Sequence, residues 1–231
     1  MAKSRFRQAN LPEACVEQAL AIIATDGVEG LSLREVARRL GVSHQAPYKH
    51  YPSREHLLAE VVARAFAAFA AHLDARPRRR DPYDDLREMG RAYIGYALAH
   101  PLHYRLMFGT PLPEPEAHPA MMRQASHAFA LLTDAIVRLG RDDPPAPELD
   151  ALYVWATMHG LAILSIMKAP ALAGARLPAG TMDKAVPHII GRVRNALLSP
   201  AEPGQQDAGA RPPARRQKTQ AAAAKRSPTT R

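Results

Sequence analysis

The chain has 231 residues, with 31 Lys and Arg against 22 Asp and Glu, and Cys15 is its only cysteine. A chain of this length can bury a hydrophobic core without disulfides or a structural metal, and an unpaired cysteine is typical of a reducing cytoplasm. Residues 200–231 hold seven Lys and Arg against two acids, which accounts for +5 of the net charge of +9. Overall basicity is therefore weak evidence for nucleic-acid binding.

The first residues of the chain and its longest uncharged stretch bear on its cellular location. The first residues are polar and basic, without the apolar run of a signal peptide, so we expect a cytoplasmic protein. The longest uncharged stretch, residues 151–167, is shorter than the roughly 20 apolar residues that a membrane span needs. It also contains His159 and Gly160 near its middle. We expect a helix in a core or subunit interface, and no membrane partner.

The first predicted helix follows Asn10 and runs to about Asp26. Asn10 is a candidate N-cap, with Pro12 in the first turn, where a missing N–H costs nothing. Gly27 and Gly30 end the helix and shape the step into the next one.

The second predicted helix is the most clearly marked one in the chain. Apolar residues recur at helical spacing at Leu33, Val36, Ala37 and Leu40. Ser32 stands just before them and Glu35 follows three residues later, which is the pattern of a reciprocal capping box. Gly41 ends the helix, because glycine readily takes the left-handed conformation of a C-terminal cap.

A tight turn then leads to a short third helix. Ser43 can cap a helix that starts at His44 and ends near Tyr51, with Tyr51 in the core. Pro47 lies in its first turn, where its missing N–H removes only the first intrahelical bond. The sequence thus predicts a helix-turn-helix unit.

Charge distribution suggests what this unit does. No acidic residue occurs from Val36 to Arg54, whereas the window holds four basic residues and two histidines. A surface of one charge attracts polyanions, and long polar side chains after Ser43 can reach base edges or phosphates. We interpret the unit as DNA-binding; the alternative is an ordinary helical hairpin with a solvated basic face. The basic arm, residues 1–9, is either disordered or lies along DNA phosphates.

The rest of the chain predicts an all-α protein. A long helix follows Ser53 and runs to about Arg76. Further helices are predicted at residues 82–99, 101–109, 119–140, 148–168 and 181–198. Residues 200–231 lack apolar periodicity and are predicted to be a disordered basic tail. The predicted organisation is an arm (1–9), a helix-turn-helix domain (10–52), a larger helical domain (53–199) and the tail (200–231).

Residues 31–58, LSLREVARRLGVSHQAPYKHYPSREHLL, resemble the N-terminal pattern of TetR-family transcriptional regulators. A looser resemblance, in WATMHG at 155–160 and YRLMFG at 104–109, is to the C-terminal domain of a TetR subgroup named for its Trp, His and Gly. The resemblance implies a homodimer in which three N-terminal helices bind a double-stranded DNA operator. The remaining helices would bind a small-molecule effector and pair through residues 148–168 and 181–198.

The resemblance also implies two sets of functional residues. The expected DNA contacts are Ser32, Arg34, Ser43, His44, Gln45, Tyr48, Lys49, His50 and Arg54. The candidate effector-binding residues are Tyr93, Tyr96, His103, Met107, Met122, Phe129, Trp155, Met158 and His159. Each residue of the second set could equally be ordinary core, because Met and aromatic residues at helical spacing usually are.

The function predicted from these features is a ligand-responsive regulator, by family default a repressor. We find no Gly-rich phosphate loop, Gly-x-Ser-x-Gly or helical zinc-protease pair, so an enzyme is not expected and no cofactor is predicted. His100 and His103 are three residues apart and leave a metal-responsive regulator as one alternative. The other alternative is an architectural protein that binds DNA without sequence preference through its tail.

Overall fold

A computed structural model describes residues 10–109, 111–140, 147–168 and 181–198. Within those ranges the chain forms eight α-helices, three short 3-10 helices and no β-strand, which confirms the all-α prediction. The helices are α1 Leu11–Asp26, α2 Leu33–Leu40, α3 Arg54–Asp74, α4 Pro82–Ala99, α5 Pro101–Phe108, α6 Pro119–Val137, α7 Pro147–Ile166 and α8 Thr181–Leu198. The 3-10 helices are Val28–Gly30, Pro47–Lys49 and Pro115–Ala117. The arm (1–9) and the tail (200–231) lie outside the described residues.

The N-terminal bundle consists of α1, α2 and the start of α3, packed around one apolar core. Cys15, Ile22 and Val36 are fully buried there, and Leu57 joins them from α3. Tyr51 is also buried, as predicted, and its hydroxyl donates a hydrogen bond to the carbonyl of Pro12 at 3.2 Å. This bond satisfies the one polar atom that Tyr51 brings into the core.

The predicted caps are only partly correct. The Ser32 hydroxyl accepts the N–H of Glu35 at 3.1 Å, and Ser53 likewise accepts the N–H of His56 at 3.4 Å. The reciprocal half of the capping box is wrong, because the Glu35 carboxylate binds two arginines of its own helix instead. The Asn10 side-chain cap is also wrong: its backbone carbonyl, not its side chain, accepts the N–H of Ala14 at 3.0 Å.

The predicted helix from His44 is replaced by a tighter structure. Residues 44–46 form turns and Pro47–Lys49 is a 3-10 helix without a side-chain cap. Ser43 contributes its carbonyl, which accepts the N–H of Ala46 at 2.9 Å, rather than capping with its hydroxyl. The physical reason is Pro47, since a proline ring collides with the carbonyl four residues earlier and favours a tighter turn.

Gly41 has a left-handed backbone, with φ of 65° and ψ of 32°, and a Cβ at this position would meet nothing within 4 Å. Gly41→Ala should therefore cost about 1 kcal/mol of the free energy of unfolding, through backbone strain alone. Gly95 also has open space around it but lies inside α4 without positive φ. Gly95→Ala is expected to stabilise the protein by roughly 0.5–1 kcal/mol. Urea unfolding of the two variants should give changes of opposite sign.

α3 belongs to both parts of the molecule. Its 21 residues span about 31 Å. Its first turns pack on α1, and the rest of the helix packs mainly on α6 and also on α4 and α5. α4 in turn contacts α7 and α8. Displacing α3 would therefore affect the N-terminal bundle and the larger helical body together.

A buried ion cluster holds the C-terminal end of α3 to the helices around it. Asp85 of α4 and Arg76, just past α3, each have 2% of their side chains exposed, and their Oδ2 and Nη2 atoms are 2.9 Å apart. Arg138, which follows α6, donates to the same Oδ2 at 2.6 Å, and the backbone N–H of Arg79 donates to Oδ1 at 3.0 Å. Three segments therefore converge on one carboxylate.

α7 is buried on one face only. Its inward residues are Ala151, Val154, Met158 and Ala162, whereas Leu152, Tyr153 and Leu164 are about half exposed. By length and composition alone, α3 and α7 could each cross a membrane. The α3 window is 61% buried in the protein and the α7 window 22%. The outward face of α7 is thus an apolar surface that the single subunit leaves uncovered.

Candidate functional site

Four of the residues predicted to contact DNA meet on one surface of the N-terminal bundle. Arg34 from α2 and His44, Gln45 and Tyr48 from the turn line a shallow depression of about 470 Å³, which we call the recognition surface. Tyr48 is 42% exposed although it is aromatic. Lys49 follows it and is also exposed. The surface combines cationic, amide, imidazole and phenol groups, which can contact phosphates and base edges.

The basic window is less positive than its sequence suggests. Arg38 and Arg39 both donate to the Glu35 carboxylate at 2.7 Å through their Nε atoms, and Arg39 also reaches Asp26 at 2.7 Å. Hydrogen bonds from Arg38 and then Arg39 lower the pKa of Glu35 to about 2, so it stays ionised at neutral pH. Arg34 and Lys49 make no ion pair with any described residue. The available positive charge therefore lies on the recognition surface and beside it.

The remaining predicted DNA contacts occupy different environments. Ser43 and His50 are exposed, and Ser32 is exposed although its hydroxyl serves as the α2 cap. Arg54 joins α3 to the loop before α2: Nε donates to the carbonyl of Leu31 at 3.0 Å and Nη2 to that of Val28 at 2.7 Å. The sequence analysis missed this structural role, because those carbonyls are more than 20 residues away along the chain.

The larger body contains a cavity of about 720 Å³, the central cavity, which is of a size typical for binding a drug-sized molecule. Six of the nine predicted effector-binding residues line it: Tyr93, Met107, Met122, Phe129, Trp155 and Met158. Its wall also includes residues that the sequence analysis did not select, notably Phe66, Phe69 and Leu73 from α3, Met89 and Gly90 from α4, Phe108 from α5, Asp134 from α6 and Glu148 from α7. The wall is mainly aromatic and aliphatic.

The other three predicted residues do not line the central cavity. Tyr96 directs its hydroxyl to Nδ1 of His103 at 3.2 Å and to the carbonyl of Ala65 at 3.4 Å. Burial lowers the pKa of His103, which disfavours its cationic form. His159 lies behind the wall, where its Nδ1 is 2.7 Å from the hydroxyl of Tyr104.

A chain of polar groups runs from the cavity wall into the core. Trp155 donates from Nε1 to the Tyr93 hydroxyl at 3.2 Å, and the hydroxyls of Tyr93 and Tyr104 are 2.7 Å apart. Tyr104 then reaches His159. Burial raises the pKa of Tyr93 to about 12 and lowers the pKa of His159, which favours the uncharged form of each group. Trp155 and His159, four residues apart on α7, are thus linked by two tyrosines, but only Trp155 lines the cavity.

His100 and His103 are the pair that the metal-responsive alternative would use. Within the described ranges, no group of three or more His, Cys, Asp or Glu residues could hold a metal ion. The rings of His100 and His103 stack with centroids 5.7 Å apart. This pair therefore lacks further ligands among the described residues, and the metal-responsive alternative gains no support from it.

Comparison with known proteins gives matches to both parts of the chain. Residues 16–61 match the family described as bacterial regulatory proteins of the tetR family, and residues 86–186 match a tetracyclin repressor-like C-terminal domain. The first match covers most of α1 through the start of α3. The second covers the helices that form much of the cavity wall. Assignment to the Trp/His/Gly subgroup stays a prediction.

Relatives that are similar over roughly two thirds of the chain agree with these matches. The HTH-type transcriptional regulator Mb1846 of Mycobacterium bovis is 31% identical over 160 residues, covering 63% of this chain and 67% of that protein. The HTH-type transcriptional regulator Rv0681 of Mycobacterium tuberculosis is 30% identical, covering 71% of this chain and 74% of that protein. A solved structure of a Rhodococcus protein of unknown function is 26% identical, with a TM-score of 0.65 over 80% of this chain and 94% of that one. The chain therefore belongs to the TetR family of transcriptional regulators.

Proposed function

We propose that this chain is a ligand-responsive repressor that binds a pseudo-palindromic operator as a homodimer in the cytoplasm and is released by a small-molecule effector. The observation that carries the proposal is the double role of α3. Its first residue, Arg54, is bonded to the carbonyls of Val28 and Leu31 in the bundle that holds the recognition surface. Further along, Phe66, Phe69 and Leu73 form part of the wall of the central cavity.

This arrangement offers a direct route for regulation. A ligand in the cavity would contact α3 and could favour a tilt of that helix. The two recognition surfaces of a dimer would then no longer match successive major grooves. Ligand and operator affinities must be coupled reciprocally, and the ligand must bind the two states with different affinities.

A homodimer fits the exposed apolar face of α7. Leu152, Tyr153 and Leu164 are 47%, 49% and 50% exposed, a grouping that is usually covered by a partner. α8 packs beside α7 and would share the interface. One short recognition turn can read only a few base pairs, whereas a two-fold dimer doubles the footprint and calls for a palindromic site.

A binding assay on the DNA upstream of this gene and of its neighbours tests the proposal. We expect a complex that survives excess nonspecific competitor and protects a pseudo-palindrome, and that dissociates when a suitable small molecule is added. Binding that shows no preference over shuffled DNA of the same composition would contradict the proposal.

Removing residues 200–231 separates this function from an architectural role. Because the tail holds seven Lys and Arg against two acids, it can add nonspecific, salt-sensitive attraction to DNA. The shortened chain should keep its operator preference and show a weaker dependence on salt. Complete loss of DNA binding would instead favour an architectural protein that binds through the tail. We propose no catalytic activity for the chain.

A further inference from the structure

The wall of the central cavity is unusually rich in π-systems. Six aromatic side chains, contributed by five helices, face it: Phe66, Phe69, Tyr93, Phe108, Phe129 and Trp155. Phe108 lies within 6.4 Å of Phe66, Phe69 and Trp155, measured between ring centroids, so these rings form one connected group. Aromatic faces carry negative partial charge and attract a desolvated cation.

The charged groups of the wall have one sign. Among the described residues that line the cavity, Asp134 and Glu148 are the charged ones, and none is Lys, Arg or His. Both carboxylates are exposed, which places them towards the solvent side of the cavity. Neither makes an ion pair or side-chain hydrogen bond with another described residue. Within the described part of the chain, no cationic side chain therefore offsets their charge.

The basic residue nearest to Asp134 along the chain already has a partner. Arg138, one turn further along, donates to Asp85 at 2.6 Å instead. Asp134 also lies in the last turn of α6, where the helix dipole disfavours a carboxylate. A carboxylate at position 134 therefore does not stabilise the helix, but it could stabilise a bound cation.

Given the regulatory function proposed above, on which this step rests, we infer that the effector is a lipophilic monocation: an aromatic or bulky apolar body bearing one delocalised or quaternary positive charge. The six aromatic rings would enclose the apolar body, and Asp134 and Glu148 would face the charge. A fatty acid or another apolar anion would find no cationic partner among the described wall residues, and it would meet two carboxylates.

Two probes of nearly identical size and shape test the inference. Tetraphenylphosphonium and tetraphenylborate differ chiefly in the sign of their charge, and Trp155 is the only tryptophan in the chain and lines the cavity. Titration of the full-length dimer, followed by Trp155 fluorescence, should show saturable binding of the phosphonium. Its affinity should be at least about tenfold higher than that of the borate, as expected for a cation near two partly solvated carboxylates.

A variant without the two carboxylates of the cavity wall tests whether they cause the preference. The Asp134→Asn, Glu148→Gln double substitution should abolish most of the preference for the phosphonium while leaving the cavity shape unchanged. The matched control is Glu17→Gln with Glu116→Gln, which removes the same net charge from exposed sites that do not line the cavity. The control should retain the preference, which excludes a mere effect of overall charge.

Probe binding tests the ligand inference, and operator binding tests the regulatory function independently of it. Equal or tighter binding of the borate, absence of binding by both probes, or a phosphonium preference that survives in the double variant would each overturn the inference. Operator binding by the same samples, measured without probe, would stand or fall independently. If the phosphonium binds as expected but no operator is found, it is the regulatory function that fails.

Discussion

Replacing Asp85 by Asn is expected to cost about 3–5 kcal/mol of the free energy of unfolding. The substitution keeps the shape of the side chain but removes the charge that compensates Arg76, whose side chain is 2% exposed. A buried guanidinium without a counterion is strongly destabilising, and arginine cannot relieve the penalty by releasing its proton. Urea unfolding of the parent and the variant at one fixed protein concentration measures the change, because any contribution from subunit association is then compared at the same concentration.

The neighbouring acid provides the control. Asp84 pairs with Arg87 at 2.9 Å on the surface, with 48% of its side chain exposed. Asp84→Asn removes the same charge from the same helical turn, and a surface pair of this kind contributes about 0–1 kcal/mol. Comparable losses in the two variants would mean that the Asp85 cluster contributes no more than a surface ion pair.

The same cluster should make the protein sensitive to acid. Burial raises the pKa of Asp85, but the N–H of Arg79 and the guanidinium groups of Arg76 and Arg138 outweigh it, and the pKa lies below its ordinary value. The stabilisation is therefore fully present above the unfolded pKa of about 4 and is lost as the pH falls through the lower folded value. Asp85→Asn should remove this part of the acid dependence.

The position of most helices could be predicted from the sequence because local signals agree there. Pro82 and Pro101 each begin a helix, and Asp81 caps α4 by accepting the N–H of Asp84 at 2.9 Å. Ser32 and Gly41 delimit α2 in the same way. For α2 and α4, a capping residue and the apolar period specify the same boundary, so no distant contact is needed.

The turn after α2 shows where local reasoning fails. Ser43 and Pro47 are both compatible with a helix start when taken singly. Their combination favours a 3-10 helix, because the proline excludes the carbonyl alignment of an α-helix. The partners of Glu35 and Arg54 were mispredicted for another reason. Packing of the folded chain determines which groups they contact, and from the sequence several arginines or carbonyls were equally plausible partners.

The central cavity could be predicted only in part. Helical spacing identifies which residues face inward, and six of the proposed residues do line the cavity. Spacing does not distinguish a residue packed in the core from one that borders empty space. Tyr96 and Tyr93 lie on the same helix three residues apart, yet only Tyr93 reaches the cavity. Phe66 and Phe69 of α3 do line the cavity, although neither was among the candidate effector-binding residues.

Substitution of Gln45, on the recognition surface, and of Lys49, beside it, should affect DNA binding in different ways. Lys49 is an exposed cation with no ion pair among the described residues, so Lys49→Ala should weaken binding to all DNA sequences. Each lost phosphate contact reduces the magnitude of the slope of log affinity against log salt by about 0.9. The proposed dimer carries two copies of Lys49, so the magnitude should fall by about 2. Fluorescence anisotropy over a range of salt concentrations measures both quantities.

Gln45→Ala should leave the salt slope unchanged and act on the matched operator alone. A lost base contact costs about 1–3 kcal/mol, so two per dimer remove about 2–6 kcal/mol of operator affinity while nonspecific binding persists. Arg105→Ala removes an exposed cation of α5, which is not part of the N-terminal bundle, and should change neither quantity. If Lys49→Ala kept the parental slope and Gln45→Ala kept the operator preference, the DNA-reading element would have to be sought outside residues 44–49.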